Sequence, residues 1–148
     1  MAVSPAYHEL IKPLSAAEKA RLTLEILGTY VSARFLLIRR GLPAAVEALR
    51  AVELRPGAQL PQSERIAQAM GVRLGIAVCR VLSVLPTDSR CLVRSLVLTR
   101  LLARRGVQSA LVIGVRPGPD FQAHAWIESG GVPLLSPLDV GDTRILEI

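Results

Sequence analysis

Two residues of this chain, Cys91 and His124, are of types that together perform nucleophilic catalysis. A thiolate attacks an amide carbonyl, and a nearby imidazole takes the thiol proton and later returns it to the leaving amine. Cys91 follows Leu85-Pro86-Thr87-Asp88, where Thr87 or Asp88 can cap a helix. It therefore falls in the first turn of that helix, where partial positive charge and free N–H groups stabilise a thiolate. Arg90 and Arg94 add positive charge, and the same N–H groups can receive an oxyanion. Taken alone, a cysteine on an apolar helix is more often a small packing residue. His124 changes that balance, because it lies 33 residues on, in Ala123-His124-Ala125-Trp126, within an expected strand. A helix packed on a sheet brings two such residues together. The other histidine, His8, lies in the N-terminal segment and is a poor candidate.

A third group should orient the imidazole. The Gly130-Gly131 pair reads as a tight hairpin that pairs Ser129 with Val132 and places His124 opposite Pro137. Asp139 is then a diagonal neighbour on the same face, whereas a one-residue change in the loop would put Ser136 opposite His124 instead. Asp139 is preferred because a carboxylate stabilises imidazolium better than a hydroxyl does, and Asp142 is the weaker option. Arg94, Trp126 and Ser136 are assigned to substrate binding. Cys79 sits in mid-helix beside Val78 and Val81 and reads as packing.

The elements that must position these residues divide the chain into a helical part, 1–60, and a helix-plus-sheet part, 61–148, within a single domain. Ser15-Ala16-Ala17-Glu18 has capping-box spacing and opens a helix over about 16–38, which Gly41 stops. Pro43 suits the first turn of a second helix running to about 54, before Arg55-Pro56-Gly57. A third begins near Ser63, with Ile66, Met70, Leu74, Ala77, Val81 and Leu85 on its apolar side. Gly71 and Gly75 are expected to admit another helix closely. The helix carrying Cys91 spans about 89–105 and ends at Gly106. Strands are expected over 107–115, 121–128 and 132–135, with a last short one near 144–146. Four helices followed by a small antiparallel sheet make an α+β domain.

Apolar residues form 51% of the 148, with two Tyr, two Phe and one Trp, so the core must be mainly Leu, Val, Ile and Ala. A chain of this length folds without disulfide or metal staples. Of the 18 basic residues only Lys12 and Lys19 are lysines, and the formal charge is +6. The arginines are spread along the chain and aromatics are scarce, which speaks against nucleic-acid binding. Arg39-Arg40 and Arg104-Arg105 suit solvated helix ends, with a docking surface for an acidic partner as the sharper alternative. No zinc-type spacing and no nucleotide-binding glycine motif is present, so neither metal nor cofactor is expected. No secretory signal is visible, and the 16–38 helix carries too many charges to span a membrane. The expected compartment is the cytoplasm.

Read in order, Cys91-Leu92-Val93-Arg94-Ser95-Leu96, Leu101-Leu102-Ala103-Arg104-Arg105-Gly106, Val112-Ile113-Gly114-Val115 and His124-Ala125-Trp126-Ile127-Glu128 form a pattern. It resembles the transglutaminase-like leader peptidases of lasso-peptide biosynthesis, over about 88–132. The helical first half, with Leu14-Ser15-Ala16 and a long apolar helix, resembles them less specifically. The resemblance implies helices packed on a papain-like or transglutaminase-like helix-plus-sheet site. It implies a cytoplasmic cysteine protease that removes the leader from a ribosomally made precursor, with Cys91 as nucleophile and His124 as acid and base. A separate cyclase then closes the freed core and is a further candidate partner. The chain resembles the stand-alone form, which works with a separate leader-recognition protein. Where the family's pattern carries an aspartate after the histidine, this chain has Ser136, and Asp139 follows three residues later. That departure keeps open a non-catalytic peptide-binding module on the same fold. An amphipathic, basic protein lying on anionic membranes is a third reading.

Overall fold

The computed structural model of the protein describes residues 12–54, 56–58, 60–86, 90–116, 122–135 and 143–148. Helix α1 (Ala16–Arg40) opens at the expected capping box. Ser15 Oγ accepts from the Glu18 N–H at 3.2 Å, and the Ser15 N–H donates to the Glu18 carboxylate at 2.7 Å. These bonds to Ser15 hold the Glu18 carboxyl below its ordinary pKa. Gly41 ends the helix, and α2 (Leu42–Arg50) follows with Pro43 in its first turn.

Helix α2 stops at Arg50, short of the expected run to 54. Leu54 instead lies with Leu60 over Gly106, where any added Cβ would meet the leucine side chains. Arg50 anchors the helix end to the sheet, donating to the carbonyls of Ser109 and Ile148 at 2.7 Å each.

Helix α3 (Glu64–Leu82) is capped by Ser63, whose hydroxyl accepts from the Ile66 N–H. It ends before Leu85, and its buried face is rotated from the expected stripe to Ile66, Ala67, Gly71, Leu74, Gly75, Val78 and Leu82. The two glycines do not receive a helix. A Cβ on Gly71 would lie 2.5 Å from Leu134 Cδ1, and one on Gly75 would lie 2.8 Å from the Leu134 carbonyl oxygen. They admit the segment that follows the hairpin.

Helix α4 (Arg90–Ala103) is the centre of the molecule. Leu96, Val97, Leu98, Leu101 and Leu102 are all fully buried, among residues of α1, α2 and α3 on one side and the sheet on the other. Beyond its C-terminal end, Arg105 and Arg104 meet the Glu25 carboxylate of α1 at 2.9 and 3.4 Å. Arg105 is almost buried there, so the Arg104-Arg105 pair is an internal tie rather than a solvated helix end or a docking surface. The Val107 N–H bonds the Leu102 carbonyl and Val107 packs into the core, which delays the first strand to β1 (Ala110–Arg116).

The sheet is antiparallel, in the order β3-β2-β1-β4, with β2 (Gln122–Ser129), β3 (Val132–Pro133) and β4 (Thr143–Glu147). Gly130 and Gly131 have φ of 56° and 76°, the left-handed pair a two-residue hairpin requires. Ser129 pairs with Val132 as expected. Strand β3 is shorter than the expected 132–135. Pro133 has no N–H for the ladder, and after the Leu134 N–H reaches the Ile127 carbonyl at 2.8 Å the chain turns towards the glycines of α3. Ile127, Leu111 and Ala125 join the helical core, whereas Val112 and Trp126, though buried, lie outside it.

Candidate active site

Cys91 is the second residue of α4, so its N–H lies among the four at a helix start that have no partner within the helix. Its side chain is half-buried. The expected caps, Thr87 and Asp88, lie outside the described residues. One turn on, the Ser95 hydroxyl donates to the Ala125 carbonyl at 3.1 Å. This bond fastens the first turns of α4 to β2 beside His124. Ser95 is itself fully buried, and its own carbonyl accepts from Thr99 Oγ1 at 2.9 Å.

His124 pairs with Gly114 of β1 and is half-buried. Ala125 and Ile127 pack into the helical core, and His124 lines the cavity near the start of β2. It sits beyond the reach of the short β3, whose pairing with β2 ends at Glu128. Cys91 and His124 line one cavity of about 530 Å³, bounded by α3, α4, the near end of β2 and the Pro133-Leu134-Leu135 segment. Among the described residues neither side chain is hydrogen-bonded. In unliganded sites catalytic hydrogen bonds commonly tighten only when substrate arrives.

Arg94 also lines this cavity. Trp126, assigned to binding, lies outside this cavity: the residue is buried, and its indole N–H donates to the Glu128 carboxylate at 2.7 Å. Ser136, Asp139 and Asp142 lie outside the described residues. Cys79, read as packing, is half-buried on the cavity wall opposite Cys91's helix. Sequence reasoning assigned no role at the site to several residues that line the cavity, Arg80, Ser95, Gly75, Leu134 and Leu135 among them. Ser95 was signalled only by its position four residues after Cys91. Gly75 carried a signal, its spacing from Gly71, but pointed to the wrong neighbour. Leu134 and Leu135 looked like ordinary strand residues and form part of the cavity wall.

No group of histidine, cysteine or acidic side chains among the described residues could hold a metal ion. No described helix is long and apolar enough to cross a membrane.

Fold and cavity together define a class: an α+β domain with a cysteine at a helix start and a histidine on the adjoining antiparallel strand. Within that class, the sequence profile of the transglutaminase-like superfamily matches residues 29–144, well over half of the chain, and the protein belongs to that superfamily. The superfamily includes cysteine proteases. The chain matches no curated protein and no solved structure.

Proposed function

We propose that the protein is a cysteine peptidase that removes the leader from a ribosomally made precursor peptide, like the lasso-peptide leader peptidases it resembles. The observation that carries this reading is the single cavity shared by Cys91 and His124 in a transglutaminase-like domain. His124 accepts the Cys91 proton, and the thiolate attacks the carbonyl at the leader–core junction, with first-turn N–H groups of α4 placed to receive the oxyanion. Collapse forms the thioester as His124 protonates the departing core amine. Water, deprotonated by His124, then releases the leader as a carboxylate and regenerates the thiol. Asp139 is the proposed orienter of the imidazole, with Ser136 and Asp142 as the alternatives.

The test needs no substrate. Iodoacetamide labelling at neutral pH, with the sites assigned by mass spectrometry, is expected to modify Cys91 faster than Cys79. His124→Ala should remove that difference. Equal labelling of the two cysteines, unchanged by His124→Ala, would remove the base from the proposal.

A separate leader-recognition protein is the proposed partner, working in the cytoplasm. Leu24, Val31, Phe35 and Ile38 of α1 are each more than half exposed, and an apolar surface of this kind usually has a partner. Size-exclusion chromatography of the two proteins should show a complex that Phe35→Asp disrupts. Separate elution at micromolar concentration would dismiss this surface as the contact.

A further inference from the structure

The cavity has a feature that hydrolysis alone does not explain. Arg80 on α3 and Arg94 on α4 both line it, and no aspartate or glutamate does so among the described residues. Neither guanidinium has an ion-pair partner among the described residues, and Arg94 Nε is buried without a hydrogen bond. A buried donor left unpaired costs free energy, so its retention beside the nucleophile points to a ligand that completes it. The remaining wall is apolar, with Val72, Ile76, Leu134 and Leu135 around the two cations. Planar guanidinium forks match carboxylates, and an apolar wall beside them suits the flanking carbon chain of a peptide.

We propose that Arg80 and Arg94 form a carboxylate-recognising subsite, so that the peptide bound next to Cys91 carries an acidic group. This rests on the peptidase reading for the identity of the ligand as a peptide. The charge argument itself stands on the cavity. Arg94 approaches from the helix that bears Cys91, and Arg80 is exposed at the mouth on the opposite helix. A carboxylate held between them sets the register of the chain across the thiol.

The test compares alkylation of Cys91 by iodoacetate and by iodoacetamide at low ionic strength, with Cys79 resolved separately by mass spectrometry. In both reactions the same thiolate forms one C–S bond and expels iodide. Thiolate content therefore cancels in the rate ratio, which reports local charge rather than activation. The iodoacetate-to-iodoacetamide ratio at native Cys91 is expected to exceed that of Cys91 in the urea-unfolded chain by about fivefold. Arg80→Gln and Arg94→Gln should each lower it, and the double variant, or high salt, should bring it to the unfolded value. A native ratio equal to the unfolded one, or one indifferent to both substitutions, overturns the proposal. Should Arg94→Gln fail to fold, the exposed Arg80→Gln still decides.

Binding of fluorescent peptides to the Cys91→Ala protein then separates the sources of the carboxylate. An amidated peptide with a glutamate side chain and a neutral peptide with a free C-terminus are each compared with a neutral, amidated one. Tighter binding of either charged peptide, lost in Arg80→Gln, supports the subsite, and equal affinity for all three rejects it. Absence of precursor cleavage would sink the peptidase reading while leaving the alkylation ratio intact. Cleavage indifferent to peptide charge would do the reverse.

Discussion

The Cys91→Ala protein is expected to fold as the wild type does and to lose precursor cleavage by on the order of 10⁶-fold, which is to say beyond detection. The fold should survive because Cys91 is half-buried at the first turn of α4, outside the packed run from Leu96 to Leu102. Exchanging a thiol for a methyl hydrogen there leaves no large void. Activity should not survive, because among the described residues no other side chain at the cavity combines a nucleophile with the start of a helix. Cys79 also lines the cavity, but from the middle of α3, without the helix-start N–H groups that stabilise a thiolate and an oxyanion. His124→Ala should lose nearly as much, and the double variant little more than either alone, because nucleophile and base act as one unit. Asp139→Ala is expected to cost less, about 10⁴-fold, since an orienting carboxylate only fixes and stabilises the imidazole. Quantitative mass spectrometry of leader and core from a synthetic precursor reads all four. If wild type binds the precursor tightly but leaves it whole, the domain is a binding module, as the Ser136 departure would then explain.

Much of this arrangement was legible in the sequence because local chemistry and tertiary packing agree. The Ser15–Glu18 capping box, the Gly41 stop and the helix start near Ser63 act within one or two turns, and all three stand where expected. The Gly130-Gly131 hairpin fixes its own register, so Ser129 meets Val132. Misreadings arose where a distant partner decides. Nothing near residues 51–54 says that Leu54 must leave its helix to cover Gly106, a residue about a third of the chain away. Gly71 and Gly75 announce a close approach, but helix and loop are equally good candidates for what approaches. Arg104 and Arg105 look like a solvated helix end until Glu25 of α1 is seen against them. At the site, the residue types and their order pointed to Cys91 and His124, which line one cavity. The wall that makes a cavity of them comes from α3 and from Leu134 and Leu135, which carry no chemical signal.

Leu101→Ala should be the most damaging single change to stability, with an expected loss of about 2–5 kcal/mol. The reason is the position of α4. Most helices of a small domain bury one face, yet here Leu96, Val97, Leu98, Leu101 and Leu102 are all at 0% exposure, covering most of the helix circumference. Leu101 therefore has packed neighbours whichever way the core relaxes, and the space left by its side chain cannot be filled by a small shift towards solvent. Against a total stability of 5–15 kcal/mol for a typical domain, that loss is a large fraction. In thermal unfolding it corresponds to a drop of about 10 °C in Tm. Urea unfolding should show a lower midpoint with an unchanged slope. Leu24→Ala, at a leucine 70% exposed on α1, is the control and should change stability by less than about 0.5 kcal/mol. The same experiment bears on function, because Cys91 and Leu101 share one rigid helix but only Cys91 faces the cavity. Below its own unfolding transition, Leu101→Ala should label at Cys91 at the wild-type rate. A destabilised protein whose Cys91 labelling has already slowed under native conditions would mean that core packing tunes the nucleophile directly. A loss smaller than about 1 kcal/mol would mean that α4 is not the packed centre of the molecule.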